Sequence, residues 1–215
     1  MMSALKAFLQ SGNMRSLSID GLKKAVYDAI QQVYEHDFDL IESHVSELDV
    51  SALLSHHLRN NTALDGFQID TEYNKMKLEN SSIEEPKVIN ASAFDKRRQK
   101  IAYLQARPDI AIHRRHTQTR NFLWVEVKMA WGDSPNEDIT KIKKVTVPYD
   151  SKAKYVTGYS YGISIVLGET SGTCTWIMNN NSKIGRAQYF SVDATRNGDR
   201  HITWEDEYEV DIESY

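Results

Sequence analysis

The sequence predicts an α/β fold, and three observations predict it. Helical spacing of apolar residues dominates the first sixty positions. Two apolar segments with strand alternation then flank a polar stretch in the middle of the chain. After them a capped helical segment leads into a further apolar strand, and only strand-like segments follow. Helices interleaved with strands describe a sheet covered by helices, and the late run of strands adds a β-rich C-terminal extension.

Each element has a local reason. Residues 1–19 read as an N-terminal arm and residues 20–215 as one domain, with its core over 20–168 and the β extension over 169–215. Asp20 can cap a helix to about Tyr34, in which Leu22, Val26, Ala29, Ile30 and Val33 share a face. A short helix, or a break, falls at Asp39–His44. Ser46 caps the next helix, with Asp49 three residues on as in a capping box, and Asn60-Asn61 ends it after Arg59. Phe67–Asn74 alternates as a strand, with Phe67, Ile69 and Thr71 on one face and Gln68, Asp70 and Glu72 on the other. Phe94–Leu104 reads as helix or irregular. Asp109–Arg114 and Asn121–Lys128 are strands round a polar hairpin. Ser134 or Asn136 caps a helix over Glu137–Val145, residues 149–156 add a short helix, and Gly162–Leu167 is a further core strand. Thr173–Asn179, Arg186–Val192 and His201–Val210 follow as antiparallel strands joined by Asn/Gly turns.

Bulk composition narrows the function classes. The net charge is −4, so no global positive field marks a nonspecific nucleic-acid binder. The distribution is uneven. Lys96, Arg97, Arg98, Lys100, Arg107, Arg114, Arg115 and Arg120 crowd one segment, whereas Glu205–Glu213 holds six acids and no bases. Cys174 is the only cysteine, which excludes an intrachain disulfide and favours a reducing, cytoplasmic setting, as does the lack of a secretory leader pattern. No apolar run approaches the ~20 residues of a membrane span.

The chemistry concentrates in the central pair of strands. Asp109 opens the first; Glu126, Val127 and Lys128 close the second. Glu126 and Lys128 are two apart and therefore share a face, and hairpin pairing can bring Asp109 to them. Two carboxylates and a main-chain carbonyl, that of Val127, suit Mg²⁺ or Mn²⁺, hard ions held by oxygen. Such an ion activates water and neutralises phosphate charge, and Lys128 would hold the attacking water or hydroxide. Partial burial beside a metal would lower the pKa of that lysine. An E-x-K taken alone usually marks solvent-facing charge. Here the apolar run Phe122–Val127 argues that the charges end a buried strand.

Further residues extend the pattern. Glu47 opens the helix Glu47–Leu58; Asp70-Thr71-Glu72-Tyr73-Asn74-Lys75 carries an E-Y-N followed by a base. Asp95-Lys96-Arg97, Arg107-Pro108-Asp109, His113-Arg114-Arg115, Asn121–Lys128, and a D-x-x-K of Asp138 and Lys141 come next in order. In this succession the chain resembles the PD-(D/E)XK, or restriction-endonuclease-like, nuclease superfamily, over roughly residues 20–168. The resemblance implies an αβββαβ core with a mixed central sheet flanked by helices, and a metal-dependent endonuclease. It makes Asp109, Glu126 and Lys128 the catalytic residues, with Glu47 a further metal ligand. Glu72, His113, Asp138 and Lys141 would support them, and the basic segment (Lys96, Arg97, Arg98, Lys100, Arg114, Arg115 and Arg120) would track the phosphate backbone of DNA. Restriction, defence or processing of mobile DNA is the implied setting. A second copy of the chain is expected as well, since single-domain nucleases of this size often need two to cut both strands.

Competing readings are weaker on the residues. Asp138 and Lys141, one turn apart, also suit a plain intrahelical pair. His113 has the parity of Asp109 and suits either a phosphate contact or a structural hydrogen bond. One H-x-x-H at His113 and His116 lacks the partners of a zinc site. Gly158–Gly162 matches G-x-S-x-G, but Ser160 precedes a strand where a nucleophile elbow needs a strand-to-helix turn. The rivals that stay open are an RNA nuclease and a noncatalytic nucleic-acid- or protein-binding module on the same fold.

Overall fold

The computed structural model describes residues 17–73, 75–77, 84–86, 88–90, 103–105, 107–115, 121–147, 158–178, 184–195 and 198–212. The chain opens with α1 (Ile19–His36), α2 (Phe38–Glu42) and α3 (Glu47–Arg59). The strands are β1 (Gln68–Thr71), β2 (Lys75–Lys77), β3 (Glu84–Pro86), β4 (Val88–Asn90), β5 (Tyr103–Gln105), β6 (Ile110–His113) and β7 (Asn121–Met129), then, after α4 (Asn136–Val145), β8 (Tyr159–Leu167), β9 (Ser171–Met178), β10 (Ile184–Ala194), β11 (Arg200–Trp204) and β12 (Tyr208–Asp211). The protein is α/β, built on an open mixed sheet of eight strands in the order β1-β6-β7-β8-β9-β10-β11, with β12 also paired to β10. Only β7 and β8 run parallel among these pairs; α4 lies between them in sequence, as a parallel connection requires. β2–β3 and β4–β5 form two small separate hairpins.

Strand parity divides the core between the two sheet faces. Leu123, Val125, Val127 and Met129 of β7 pack with Leu22, Val26, Ile30, Val50 and Leu54 from α1 and α3. Trp124 points the other way and packs with Ile139, Ile142 and Val145 of α4 and Ala111 of β6. β7 is therefore buried on both faces, which is why its sequence is an almost unbroken apolar run. β9–β12 continue this sheet beyond β8. Among the described residues no helix is long and apolar enough to cross a membrane.

Differences from the sequence reading have local causes. The N-cap of α1 is Ser18, whose Oγ accepts the Gly21 N–H, so Asp20 sits inside the first turn. Ser46 does cap α3, accepting the Asp49 N–H, and α4 begins at Asn136 after Pro135 without a side-chain cap bond. β1 stops at Thr71 because Glu72 takes a left-handed backbone, φ 50°. The single strand expected over His201–Val210 is two, β11 and β12, broken at Glu205–Glu207. The short helix expected at 149–156 lies outside the described residues.

α4 sits close to the sheet because Gly162 of β8 lacks a side chain. A Cβ there would fall 2.1 Å from Ile142 Cγ2 and 3.2 Å from Thr146 Cγ2. Gly162→Ala is expected to cost about 1–3 kcal/mol, as overpacked cores do, read as a lower urea midpoint at unchanged m-value. An unaltered midpoint would mean that α4 moves freely away from the sheet.

Candidate functional site

β6 and β7 bring the acidic pair together. Ile110 pairs with Val125, so Asp109, one residue earlier, comes abreast of Glu126. The Asp109 N–H donates to the Val125 carbonyl at 3.1 Å, and the Val127 N–H donates back to Asp109 Oδ2 at 2.7 Å. Ala111 and Trp124 face each other in this register and both lie in the core under α4. Alternation from them puts Asp109, Glu126 and Lys128 on the α4 face. A strand residue presents its N–H and C=O to the same edge, so the Val127 carbonyl is aimed at the gap where β6 has ended.

α4 adds the remaining charges. Lys141 Nζ donates to Glu126 Oε2 at 2.6 Å and lies 3.4 Å from Asp138 Oδ1. Lys128 Nζ donates to Glu47 Oε2 at 2.9 Å, at the start of α3, and lies 3.6 Å from Asp138 Oδ2. The groups thus alternate as Glu47, Lys128, Asp138, Lys141, Glu126, with Asp109 beside the last. Four carboxylates meet two ammonium groups, so with every group ionised two negative charges are left uncompensated. The Trp124 indole N–H donates to Glu126 Oε1 from two residues back on the same face.

Burial sets the protonation of these groups. Glu126 is 2% exposed, and burial pushes its carboxyl up to about 8; Lys141 opposes the shift, while the charges of Asp109 and Asp138 add to it. Burial also raises Asp109, held back by the Val127 N–H. Burial by itself would lower Lys128, but its hydrogen bond to Glu47 and the charges of Asp138, Glu47 and Asp109 outweigh burial and raise it. Lys141 is raised in the same way by Glu126, Asp138 and Asp109.

Other candidate residues stand apart from this cluster. Glu72 is exposed, and its link to the cluster is its backbone N–H, which donates to the Asp109 carbonyl at 3.2 Å. His113 is 1% exposed, and its Nε2 donates to Asp70 Oδ2 at 2.8 Å. Arg115 also grips Asp70, through Nε at 2.6 Å and through Nη2. Burial opposes ionisation of Asp70, but Arg115 and then His113 outweigh it and lower its pKa. Arg115 is thus paired with Asp70 while its side chain stays half open to solvent; Arg114 is half-buried. Lys96, Arg97, Arg98, Lys100 and Arg120 lie outside the described residues. Ser160 lies within β8 and not on a strand-to-helix turn.

Sequence reasoning missed Trp124 and Asp70. Trp124 shares the parity of Glu126 and could have been found by that signal. Asp70 opposes Ala111 and reaches His113 across β1–β6, a pairing that no local pattern encodes.

The chemistry of the donor set suits a metal. It consists of hard oxygens, and Asp138 Oδ2 is buried without a hydrogen-bond partner, so the residue types fit Mg²⁺ or Mn²⁺. Among the described residues no three His, Cys, Asp or Glu side chains stand close enough to share one ion, because lysine ammonium groups stand between the acids. No family model matches this chain, and no curated protein or solved structure is significantly similar to it.

Proposed function

We propose that the protein is a Mg²⁺- or Mn²⁺-dependent endonuclease that hydrolyses phosphodiester bonds of DNA, built on a restriction-endonuclease-like PD-(D/E)XK core. The observation that carries this reading is the cluster itself: Asp109 abreast of Glu126, Lys128 on the same face, and four carboxyl groups gathered around two ammonium groups. The succession α3, β1, β6, β7, α4, β8 follows the order αβββαβ and supports it.

Asp109, Glu126 and the Val127 carbonyl would hold the ion, with Lys141 giving way from Glu126; Glu47 would join them only if Lys128 also released it. A bound divalent ion would lower the pKa of its water and neutralise phosphate charge. Glu47, Asp138 and Asp109 raise Lys128 in this cluster, which favours a role for its ammonium over that of a base taking the water proton. That ammonium orients the attacking oxygen and stabilises negative charge growing on the phosphate. Asp138, between the two lysines, keeps both in place. His113 and Arg115, tied to Asp70, brace the hairpin that carries β6 and β7.

The test is nicking of a supercoiled plasmid by the full chain in Mg²⁺ or Mn²⁺, with EDTA and Asp109→Ala as controls. Metal-dependent open circles that the Asp109 variant fails to make are the expected result. Cleavage of a parallel RNA substrate alone would reassign the chain to RNA hydrolysis. No cleavage of either, with nucleic acid still retained, would leave the binding module.

A further inference from the structure

Three loops meet at the C-terminal ends of the parallel strands β7 and β8, next to Glu47 and Lys128. The first joins α2 to α3 and carries His44. The second follows β7 and carries Trp131 and Gly132. The third follows β8 and carries Gly168 and Glu169. Close backbone approaches lock them together. A Cβ at Gly132 would stand 3.1 Å from Glu47 Oε1, one at Gly168 would stand 2.9 Å from Ala130 Cβ, and the Tyr34 hydroxyl donates to the Gly168 carbonyl at 2.8 Å. Ligand sites of open α/β sheets favour this end of parallel strands.

At this junction the Trp131 indole stacks on the His44 imidazole, with ring centroids 4.2 Å apart and planes 28° apart. His44 Nε2 in turn lies 2.7 Å from Glu169 Oε1. Trp131 is 39% exposed even though His44 stacks against one face of its indole. The backbone at His44 is informative. The residue ends α2 in a Schellman turn, its N–H donating to the Ile41 carbonyl and that of Val45 to the Leu40 carbonyl, with φ 54°. Glycine is the favoured residue there, and an L side chain is strained. The chain places an imidazole at this position, and the ring is used to back an exposed indole.

We infer that Trp131, backed by His44, is a stacking platform for one unpaired nucleobase beside the phosphate taken up at Lys128, so that the site takes single-stranded DNA. The inference rests on the nuclease reading for the phosphate, but not for the stack. An aromatic platform accepts any base, because each has a π-face. A base within a duplex exposes no such face until it is unpaired and unstacked. The indole is already fixed between His44 and the loop, so little side-chain freedom is lost when a base lands on it. Gly132 keeps the loop against Glu47, which sets the base next to the acidic cluster.

The experiment measures binding apart from cutting. A fluorescein-labelled twelve-nucleotide oligothymidylate and a duplex of equal length are titrated with the full chain in Ca²⁺, and gels confirm that both stay intact. The parent should bind the single strand more tightly. Trp131→Ala should weaken single-strand binding about tenfold and leave duplex binding within about twofold, since one stacked base is lost. Trp131→Phe should recover most of that loss. His44→Gly removes the ring at a position whose backbone suits glycine, so it keeps the fold and should still show a partial loss. Equal effects of Trp131→Ala on both ligands, no effect on either, or a parent that prefers duplex would overturn the platform. If single-strand binding depends on Trp131 while neither the plasmid nor the oligothymidylate is cut in Mg²⁺ or Mn²⁺, the nuclease reading fails and the platform stands. If nicking depends on Asp109 while Trp131→Ala binds like the parent, the platform alone fails.

Discussion

Lys128→Ala is expected to abolish cleavage, by at least about two orders of magnitude, the scale of removing one preorganised group that stabilises transition-state charge. It should leave Mn²⁺ binding intact or strengthened. The ammonium lies 2.9 Å from Glu47 and 3.6 Å from Asp138, and its loss removes positive charge from a cluster already in deficit. A protonated amine cannot ligate a cation, so the two functions separate in this one residue. Asp109→Ala should behave differently and lose metal along with cleavage. Cleavage rate beside a calorimetric Mn²⁺ titration, on variants shown to be folded, makes the comparison. A Lys128→Ala protein that cuts as fast as its parent would reduce the E-x-K spacing to coincidence.

Local pattern made the centre of the site legible, and distance in sequence hid its surroundings. The parity of Glu126 and Lys128 and the hairpin register of Asp109 follow from strand geometry, and the structure brings these residues into one cluster. Asp138 and Lys141 share a helix face by spacing, but that this face meets Glu126 depends on how α4 docks, which Gly162 permits. The protonation of Lys128 escapes local pattern for a related reason. Spacing shows partial burial, which lowers a lysine, while the carboxylates of Glu47 and Asp138 arrive from two other helices. His113 has the strand parity of Asp109, yet Asp70 on β1 draws it into a different cluster. The hairpins β2–β3 and β4–β5 went unseen because three-residue strands such as K-M-K and E-E-P carry no alternation to detect. Exposed Trp131 and strained His44 gave no signal until the loops carrying them were seen to meet.

Glu126→Gln is expected to make the protein more stable at pH 8 and inactive at any pH. The carboxyl is buried against Asp109 and Asp138 and is pushed up to about 8 from an ordinary value of 4.5. A folded state whose acid has a raised pKa binds the proton more tightly than the unfolded chain. The stability linked to that proton is therefore complete below about pH 4.5 and is lost as pH rises toward 8, at no more than about 1.4 kcal/mol per pH unit. Asp109, also raised, adds a slope of the same sign, whereas Asp70, lowered by Arg115 and His113, loses its contribution only as pH falls below its ordinary value near 3.8. Glutamine keeps the shape, can accept the Lys141 hydrogen bond and cannot ionise, so it removes the Glu126 share of the loss. Urea unfolding at pH 4.5 and 8 should show parent and variant alike at the lower pH and the variant ahead at the higher. Mn²⁺ reverses the order for the parent, since an ion that binds only the folded state stabilises it, and it should do nothing for the variant, whose amide is a poor ligand. A Glu126→Gln protein that is less stable than its parent at pH 8, or that Mn²⁺ still stabilises, would mean that Glu126 is an ordinary structural ion pair with Lys141 and that the metal, if any, binds elsewhere.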